Sequence, residues 1–128
     1  MDLHADKRAY MENGWWRKGI VNLPIGIRPG HRALFSTQEV VTIPKDAFGL
    51  IHIRSTWARK GLFCPATIAD PGFNGTLTLE VLNGSTQYIE VKKGDSLWSL
   101  NLVPTWGEIE PYNGKYQNQM GLTLAKED

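Results

Sequence analysis

The stretch Thr76-Leu-Thr-Leu-Glu80 alternates polar and apolar side chains without a break. Successive side chains of a strand point to opposite faces, so the two leucines share one face and Glu80 shares the other with both threonines. A Pro71-Gly72 turn precedes the stretch, and Asn83-Gly84-Ser85, the clearest hairpin signal in the chain, follows it. The pattern predicts a strand over 76–82 with a carboxylate opposite its apolar face.

Short β patterns separated by turns continue on both sides of this strand. The predicted strand pieces cover 20–27 with an interruption at Pro24, 33–35, 39–43, 48–54, 88–91 and 97–103, and a helical turn covers 57–61 and ends at Gly61. Many short strands with almost no helix are typical of a β-sandwich or barrel. We therefore predict one all-β domain over residues 1–128, without an internal repeat or linker.

Residues 1–19 mix charged and aromatic side chains and are interpreted as an N-terminal arm. Tyr10, Met11 and Trp15 lie near one face at helical spacing, which indicates a short amphipathic helix or an arm packed on a neighbouring subunit. Trp15 and Trp16 are expected to anchor the segment rather than to stack on a base.

Composition excludes several classes of protein. The net charge is +1, so the chain has no strong electrostatic attraction for nucleic acid or an anionic membrane. A single cysteine, Cys64, excludes an internal disulfide and a multi-cysteine zinc site, and is interpreted as a small buried residue. No apolar run approaches the roughly 20 residues that span a bilayer, and no signal peptide is evident. We expect a cytoplasmic protein.

One polar cluster lies just before the central strand. Arg54 and Arg59 flank Ser55 and Thr56, which concentrates hydrogen-bond donors within six residues. Guanidinium groups in such a cluster are suited to a polyanion such as a phosphate chain.

Several short motifs follow one another along the chain between about Ile27 and Thr123. They are Arg54-Ser55-Thr56-x-Ala58-Arg59-x-Gly61-Leu62, Ala66, Asp70-Pro71-Gly72-Phe73-x-Gly75, Leu79-Glu80, Lys93-Gly94-Asp95, and Pro111-Tyr112 with Lys115-Tyr116-Gln117-x-Gln119-x-Gly121. In this order and spacing they resemble the signature of the dCTP deaminases, the deaminating branch of the trimeric dUTPase superfamily. Fewer residues precede the first motif than in typical members, so the resemblance is to a compact variant.

This resemblance implies a fold, an assembly and a set of ligands. The fold would be the distorted jelly roll of dUTPases, assembled as a homotrimer with active sites between subunits. The ligands would be dCTP and dUTP, and whether dTTP acts as an inhibitor is left open by the sequence. Mg²⁺ would arrive bound to the nucleotide triphosphate, and no zinc would take part.

The resemblance also assigns catalytic roles. Glu80 falls on the general base of the deaminases. Ser55 and the backbone carbonyl of Ala66 would orient the attacking water, and Arg59 would support the transition state. Asp70 falls on the aspartate that binds the deoxyribose 3′-hydroxyl and that in dUTPases activates the water attacking phosphorus.

Substrate-binding roles fall on the remaining motif residues. Residues 111–128 are polar and aromatic and are interrupted by glycine, which indicates a flap rather than a core strand. The resemblance gives the binding residues as Arg54 and Thr56 for the triphosphate, Phe73 beneath the sugar, and Tyr112, Lys115 and Gln119 for the phosphates from the closed flap.

More than one function is compatible with these residues. The chain lacks the His-x-Glu and Pro-Cys-x-x-Cys motifs of zinc deaminases, so a carboxylate must take the proton of the attacking water, and Glu80 is the best placed. Glu80 favours a dCTP deaminase over a dUTP diphosphatase. A bifunctional enzyme and a non-catalytic nucleotide-binding trimer also remain open.

Overall fold

The computed structural model describes residues 1–12, 18–107 and 109–127, which form ten strands and one short helix. These elements are β1 (Asp2–Glu12), β2 (Lys18–Asn22), β3 (Ile25–Ile27), β4 (Arg32–Thr42), β5 (Ala47–Ile53), α1 (Ser55–Lys60), β6 (Leu62–Phe63), β7 (Thr67–Ala69), β8 (Asn74–Asn83), β9 (Ile89–Val91) and β10 (Ser96–Pro104). The predicted all-β class is confirmed. Trp15 and Trp16 lie outside the described residues. None of the described helices is long and apolar enough to cross a membrane.

One curled antiparallel sheet contains most of the strands. Its order is β6-β8-β4-β1-β10-β5-β7, with β2 paired to β1, while β3 and β9 form a separate two-stranded sheet. Strands distant in sequence are therefore neighbours in space, as in a jelly roll. This agrees with the fold class that the sequence predicted.

The N-terminal segment differs from its prediction. Residues 2–12 form a strand in the middle of the sheet, bonded to β10, β2 and β4, and not a helix or an arm on a neighbouring subunit. Leu3, Ala5, Ala9 and Met11 are buried. The register shifts between Ala5 and Ala9, and this irregularity hides the two-residue period in the sequence.

Strand β8 follows the alternation that its sequence predicted. Leu77, Leu79 and Val81 are buried, whereas Glu80 is exposed. β8 pairs with β4 along most of its length. β4 is continuous where two pieces were predicted, but its register shifts between Ser36 and Val40, close to the predicted break. The register of this pair decides which face of β8 carries the carboxylate.

The hairpin predicted at Asn83-Gly84-Ser85 is wrong, because β9 pairs with β3 rather than with β8. Asn83 is instead a fully buried anchor. Its amide nitrogen donates to the carbonyls of Ile27 at 2.8 Å and Gln87 at 2.7 Å, and its amide oxygen accepts from the backbone nitrogen and hydroxyl of Ser85. These bonds turn the chain away from β8, so that the next strand joins the small sheet.

Replacing Asn83 should therefore destabilise the fold. Asn83→Ala leaves the buried Ile27 carbonyl without its donor, and we expect the free energy of unfolding to fall by about 2–4 kcal/mol. Urea denaturation followed by tryptophan fluorescence measures this loss. Asn101→Ala, which removes an exposed amide from β10, is the matched control and should cost about 0.5 kcal/mol or less. Equal midpoints for the two variants would contradict the anchoring role.

Candidate functional site

Glu80 projects from the side of β8 that faces away from the core. It pairs directly with Leu34 of β4, and Thr78 lies two residues earlier on the same face. A cavity of about 610 Å³ opens over this face, which is within the range of small-molecule sites. Five of the predicted site residues line it together, namely Asp70, Phe73, Glu80, Tyr112 and Gln119.

The Asp-Pro-Gly turn forms one wall of this cavity. The backbone nitrogen of Phe73 donates to the carbonyl of Asp70 at 3.0 Å, which closes the turn. Ile43, just after the end of β4, holds the turn in place. Its carbonyl accepts a hydrogen bond from the Gly72 backbone nitrogen, and its own backbone nitrogen donates to the Phe73 carbonyl. Phe73 is buried and packs edge-on against Tyr112, with ring centroids 5.7 Å apart. The Asp70 carboxyl is thus carried on a fixed turn beside a rigid aromatic pair.

The C-terminal tail, defined as residues 111–127, forms the opposite wall. Its backbone bonds to the turn and to the start of β8. The nitrogens of Tyr112 and Asn118 donate to the carbonyls of Pro71 and Asn74, and the carbonyl of Gln119 accepts from the nitrogen of Thr76. The side chain of Gln117 adds three bonds, accepting from the Asn74 backbone nitrogen and donating to the carbonyls of Gly72 and Tyr112. Thr123 donates its backbone nitrogen to the hydroxyl of Thr78. The tail therefore lies over the cavity of its own chain, as a closed flap does.

The two glycines of the Asp-Pro-Gly-Phe-x-Gly motif allow this close approach. Gly72 and Gly75 have φ angles of +84° and +147°, which disfavour other residues. A Cβ on Gly72 would lie 2.8 Å from Pro111, and one on Gly75 would lie 2.6 Å from the carbonyl oxygen of Gln119. The motif is therefore a docking site for the tail as well as a turn.

Two of the three tail residues expected to reach the phosphates, Gln119 and Lys115, have other contacts here. The amide nitrogen of Gln119 donates to the carbonyl of Thr76 at 2.8 Å, and its buried amide oxygen has no hydrogen-bond partner among the described residues. Lys115 donates to the carbonyl of Lys126 and is not among the described residues that line the cavity. In this arrangement the amide nitrogen of Gln119 is bonded to the backbone of β8 and its amide oxygen is buried, so neither is directed at a phosphate.

The polar residues of the Arg-Ser motif lie on and beside α1. Ser55, Thr56 and Arg59 are exposed, and Arg54, at the N-cap position of the helix, is half-buried. The sequence correctly predicted that Gly61 ends this helix, with φ of +109°. None of these four polar residues is among the described ones that line the cavity. A single chain therefore brings together only one half of the predicted site.

Ala66 and Cys64 lie in the segment between β6 and β7. Ala66 is exposed and is not among the described lining residues, although the next residue, Thr67, is. Cys64 is buried, as predicted. Burial raises the pKa of its thiol to about 11, with a lowering effect from the neighbouring Trp98 and a further raising effect from the charge of Glu80. The thiol is protonated at neutral pH and is not a nucleophile.

The cavity-wall residues that the sequence did not predict as site residues include three from β1 and β4, namely Tyr10, Arg32 and Leu34. They come from β1 and β4 and reach Glu80 only through strand register, for which a single sequence gives no signal. Arg32 is the one cation among the described lining residues, and its guanidinium donates to Glu12 at 3.2 Å. The described part of the cavity wall thus carries two carboxylates and one guanidinium.

The acidic, histidine and cysteine side chains of the described residues do not cluster in threes, as a protein-built metal site would require. The donor set of the cavity is Asp70 and Glu80 with hydroxyls and amides around them. A metal ion entering with a ligand would take most of its coordination from that ligand and from water.

Comparisons with known proteins give the family of this chain. A family model described as dCTP deaminase-like matches residues 3–103, which includes β1 and ends before the tail. A probable deoxyuridine 5′-triphosphate nucleotidohydrolase of Sulfolobus islandicus rod-shaped virus 1 is 45% identical over 103 residues, covering 80% of this chain and 65% of that protein. The dCTP deaminase of Acidianus ambivalens is 45% identical over 101 residues, covering 78% and 58%. The chain thus spans about three fifths of the length of these relatives.

Solved structures show the same fold at low identity. The 2′-deoxycytidine 5′-triphosphate deaminase of Agrobacterium tumefaciens has a TM-score of 0.68 at 18% identity, covering 80% of this chain and 38% of that one. The EIAV dUTPase has a TM-score of 0.60 at 19% identity, covering 89% of this chain and 97% of that one. With the family model matching most of the sequence, this chain belongs to the dCTP deaminase-like family.

Proposed function

We propose that the protein is a dCTP deaminase, which hydrolyses dCTP to dUTP and ammonia without zinc and works as a homotrimer. The observation that carries the proposal is the placement of Glu80 and Asp70 in one cavity under a closed tail. A carboxylate in such a cavity can act as a general base on water, and the tail keeps bulk water from the reacting centre.

The charges of the site support an oligomer, and the resemblance of the motifs to those of the trimeric dUTPase superfamily makes it a trimer. A nucleoside triphosphate needs several cations, yet Arg32 is the one described cation lining the cavity. Arg54 and Arg59 lie on and beside the exposed helix of the same chain, outside the cavity. In a cyclic trimer every copy presents its helix to one neighbour and its cavity to the other. The α1 of one subunit would then complete the cavity of the next.

The chemical step is assigned to Glu80. Its carboxylate takes a proton from the water that attacks C4 of cytosine, and the carbon–oxygen bond forms. Glu80 passes that proton to ring N3, then carries the proton of the new C4 hydroxyl to the exocyclic nitrogen; the carbon–nitrogen bond breaks, C4 becomes a carbonyl, and ammonia leaves with the triphosphate intact. Ser55 of the neighbouring subunit and the carbonyl of Ala66 orient the water, and Arg59 stabilises the charge that develops on it.

The rest of the nucleotide is bound by the wall residues and the helix. Asp70 accepts a hydrogen bond from the 3′-hydroxyl, and Phe73, which packs against Tyr112, stacks under the sugar and excludes a 2′-hydroxyl. Arg54 and Thr56 bind the triphosphate, with Lys115 recruited from the tail. Mg²⁺ bound to the phosphates reduces their negative charge.

A dUTP diphosphatase is the second candidate, with or without deamination. Asp70 lies in the same cavity as Glu80, where it could activate a water toward phosphorus. The similarity to a protein named as a probable deoxyuridine 5′-triphosphate nucleotidohydrolase favours the same candidate. The two activities are distinguished by their products, since only the diphosphatase releases pyrophosphate.

Replacing Glu80 tests the proposed base. Glu80→Gln keeps size and polarity but cannot accept the water's proton, so ammonia release from dCTP with magnesium should fall at least about a hundredfold while dCTP still binds. Ammonia and chromatographic product assays measure this. Wild-type ammonia release by the variant would remove Glu80 from the mechanism. The wild-type protein separates the other candidates. Cleavage of dUTP by the wild-type protein, with dCTP untouched, would identify a diphosphatase. Binding of either nucleotide by the wild-type protein without turnover would favour the non-catalytic nucleotide-binding trimer.

Mixed trimers test the shared site. Arg59→Ala and Glu80→Gln should each be inactive alone, since each damages every site. In randomly mixed trimers some sites combine a native Arg59 with a native Glu80, and we expect about a quarter of wild-type activity after co-refolding of equal amounts. If both residues acted in the cavity of their own chain, mixing would restore nothing. Light scattering on the same samples gives the subunit number.

Docking of the tail can be tested at Gly75. A Cβ there would collide with the backbone of Gln119, so Gly75→Ala should displace the tail, raise the KM for dCTP about tenfold and expose the tail to proteolysis. Gly94→Ala is the matched control, because Gly94 also has a positive φ of +85° but makes no contact with the tail. If Gly94→Ala raised the KM as much as Gly75→Ala does, backbone strain at a positive-φ position, and not contact with the tail, would be the cause.

A further inference from the structure

Helix α1 carries donors of the proposed triphosphate site but has few contacts with the rest of the fold. It has six residues, none of them buried, and the side chain of Arg54 does not cap its N-terminus. Gly61 ends it with a backbone bond to Ala58 within the helix itself. The direction in which Arg54 points therefore depends on contacts outside the helix.

Those contacts converge on the first two residues of β10. The backbone nitrogen of Arg54 donates to the carbonyl of Leu97 at 2.7 Å. The indole nitrogen of Trp57 donates to the carbonyl of Ser96 at 2.9 Å, and the Arg54 Nη1 donates to the hydroxyl oxygen of Ser96 at 2.8 Å. The ammonium group of Lys60 lies 4.3 Å from the centre of the Trp57 ring, on which it stacks. Ser96 thus holds both the helix and the guanidinium.

The other neighbour of the guanidinium is more distant. The Asp2 carboxylate lies 3.7 Å from Arg54 Nη1, and the hydroxyl of Ser99 donates to Asp2 at 3.2 Å. Both partners of that ion pair are about half exposed, so solvent screens the attraction. The short bond to Ser96 fixes one edge of the guanidinium and leaves its other N–H groups available for a ligand.

We propose that Ser96 is a positioning residue for polyphosphate binding: its hydroxyl orients the Arg54 guanidinium and its carbonyl seats α1 through Trp57. The inference rests on the proposed function in taking a nucleotide triphosphate as the ligand of Arg54. It adds a residue that lies outside the motifs and touches no substrate itself. Loss of its hydroxyl should weaken binding of the phosphates of the nucleotide and not binding of its base or sugar.

Equilibrium binding tests this in the whole 128-residue chain, with Glu80→Gln as the reference so that dCTP is not consumed. Calorimetric titrations with dCTP and with dCMP compare ligands that differ only in their phosphates. Ser96→Ala should weaken dCTP about tenfold and dCMP less than about twofold, as expected for the loss of one bond to a charged group. Ser96→Thr keeps the hydroxyl and should stay within about threefold of the reference for dCTP.

Controls separate this role from a general structural effect. Thr105→Ala removes a hydroxyl that bonds to Gly107 just beyond the far end of β10, and should leave both affinities unchanged. If Ser96→Ala does not fold, Trp57→Phe removes the other bond to Ser96 and should weaken dCTP about threefold without affecting dCMP.

Three results would overturn the inference. They are unchanged dCTP affinity in Ser96→Ala, equal losses for the two nucleotides, and a Ser96→Thr variant as weak as Ser96→Ala. Each leaves the proposed deaminase intact, since the reference still binds dCTP. A reference protein that binds neither nucleotide would overturn the proposed function and this inference together.

Discussion

The pairing of β8 with β4 is the constraint on which the rest of the structure depends. It buries Leu77, Leu79 and Val81 and leaves Glu80 in the cavity. A shift of one residue would exchange these faces and bury the carboxylate. The register shift in β4 belongs to the same pairing. Where it interrupts the regular ladder, the hydroxyl of Thr37 accepts a hydrogen bond from the Leu77 backbone nitrogen. Core and site are therefore fixed by a single register.

The sequence was most informative where local patterns agreed with the fold. The alternation around Glu80, the Asp-Pro-Gly turn and the helix ending at Gly61 all have local physical causes and were predicted correctly. The predictions for the first strand and the hairpin were wrong for reasons that are not local. β1 is irregular and is defined by its partners, and Asn83 carries a turn signal but uses its side chain to send the chain to another sheet.

The site was predicted from motifs rather than from geometry, and the structure divides those motifs into two groups. The cavity collects the residues of the Asp-Pro-Gly turn, β8 and the tail, while those of the Arg-Ser motif stay on and beside the exposed helix. Motif spacing carries no information on this division, since it cannot distinguish residues that meet within one chain from residues that meet between chains. Register likewise explains why Arg32 and Tyr10 were missed, because only pairing of β1, β4 and β8 brings them near Glu80.

The tail has a consequence for solubility. It bonds to Asn74 and Thr76 at the first half of β8, on the edge that the two-residue strand β6 does not reach. An open strand edge presents unpaired N–H and C=O groups that can pair with the edge of another molecule. In the proposed function, a tail that opens to admit nucleotide would expose this edge for as long as it stays open, whereas a bound nucleotide that keeps the tail closed would cover it. Nucleotide supply would then protect the protein against edge-to-edge aggregation.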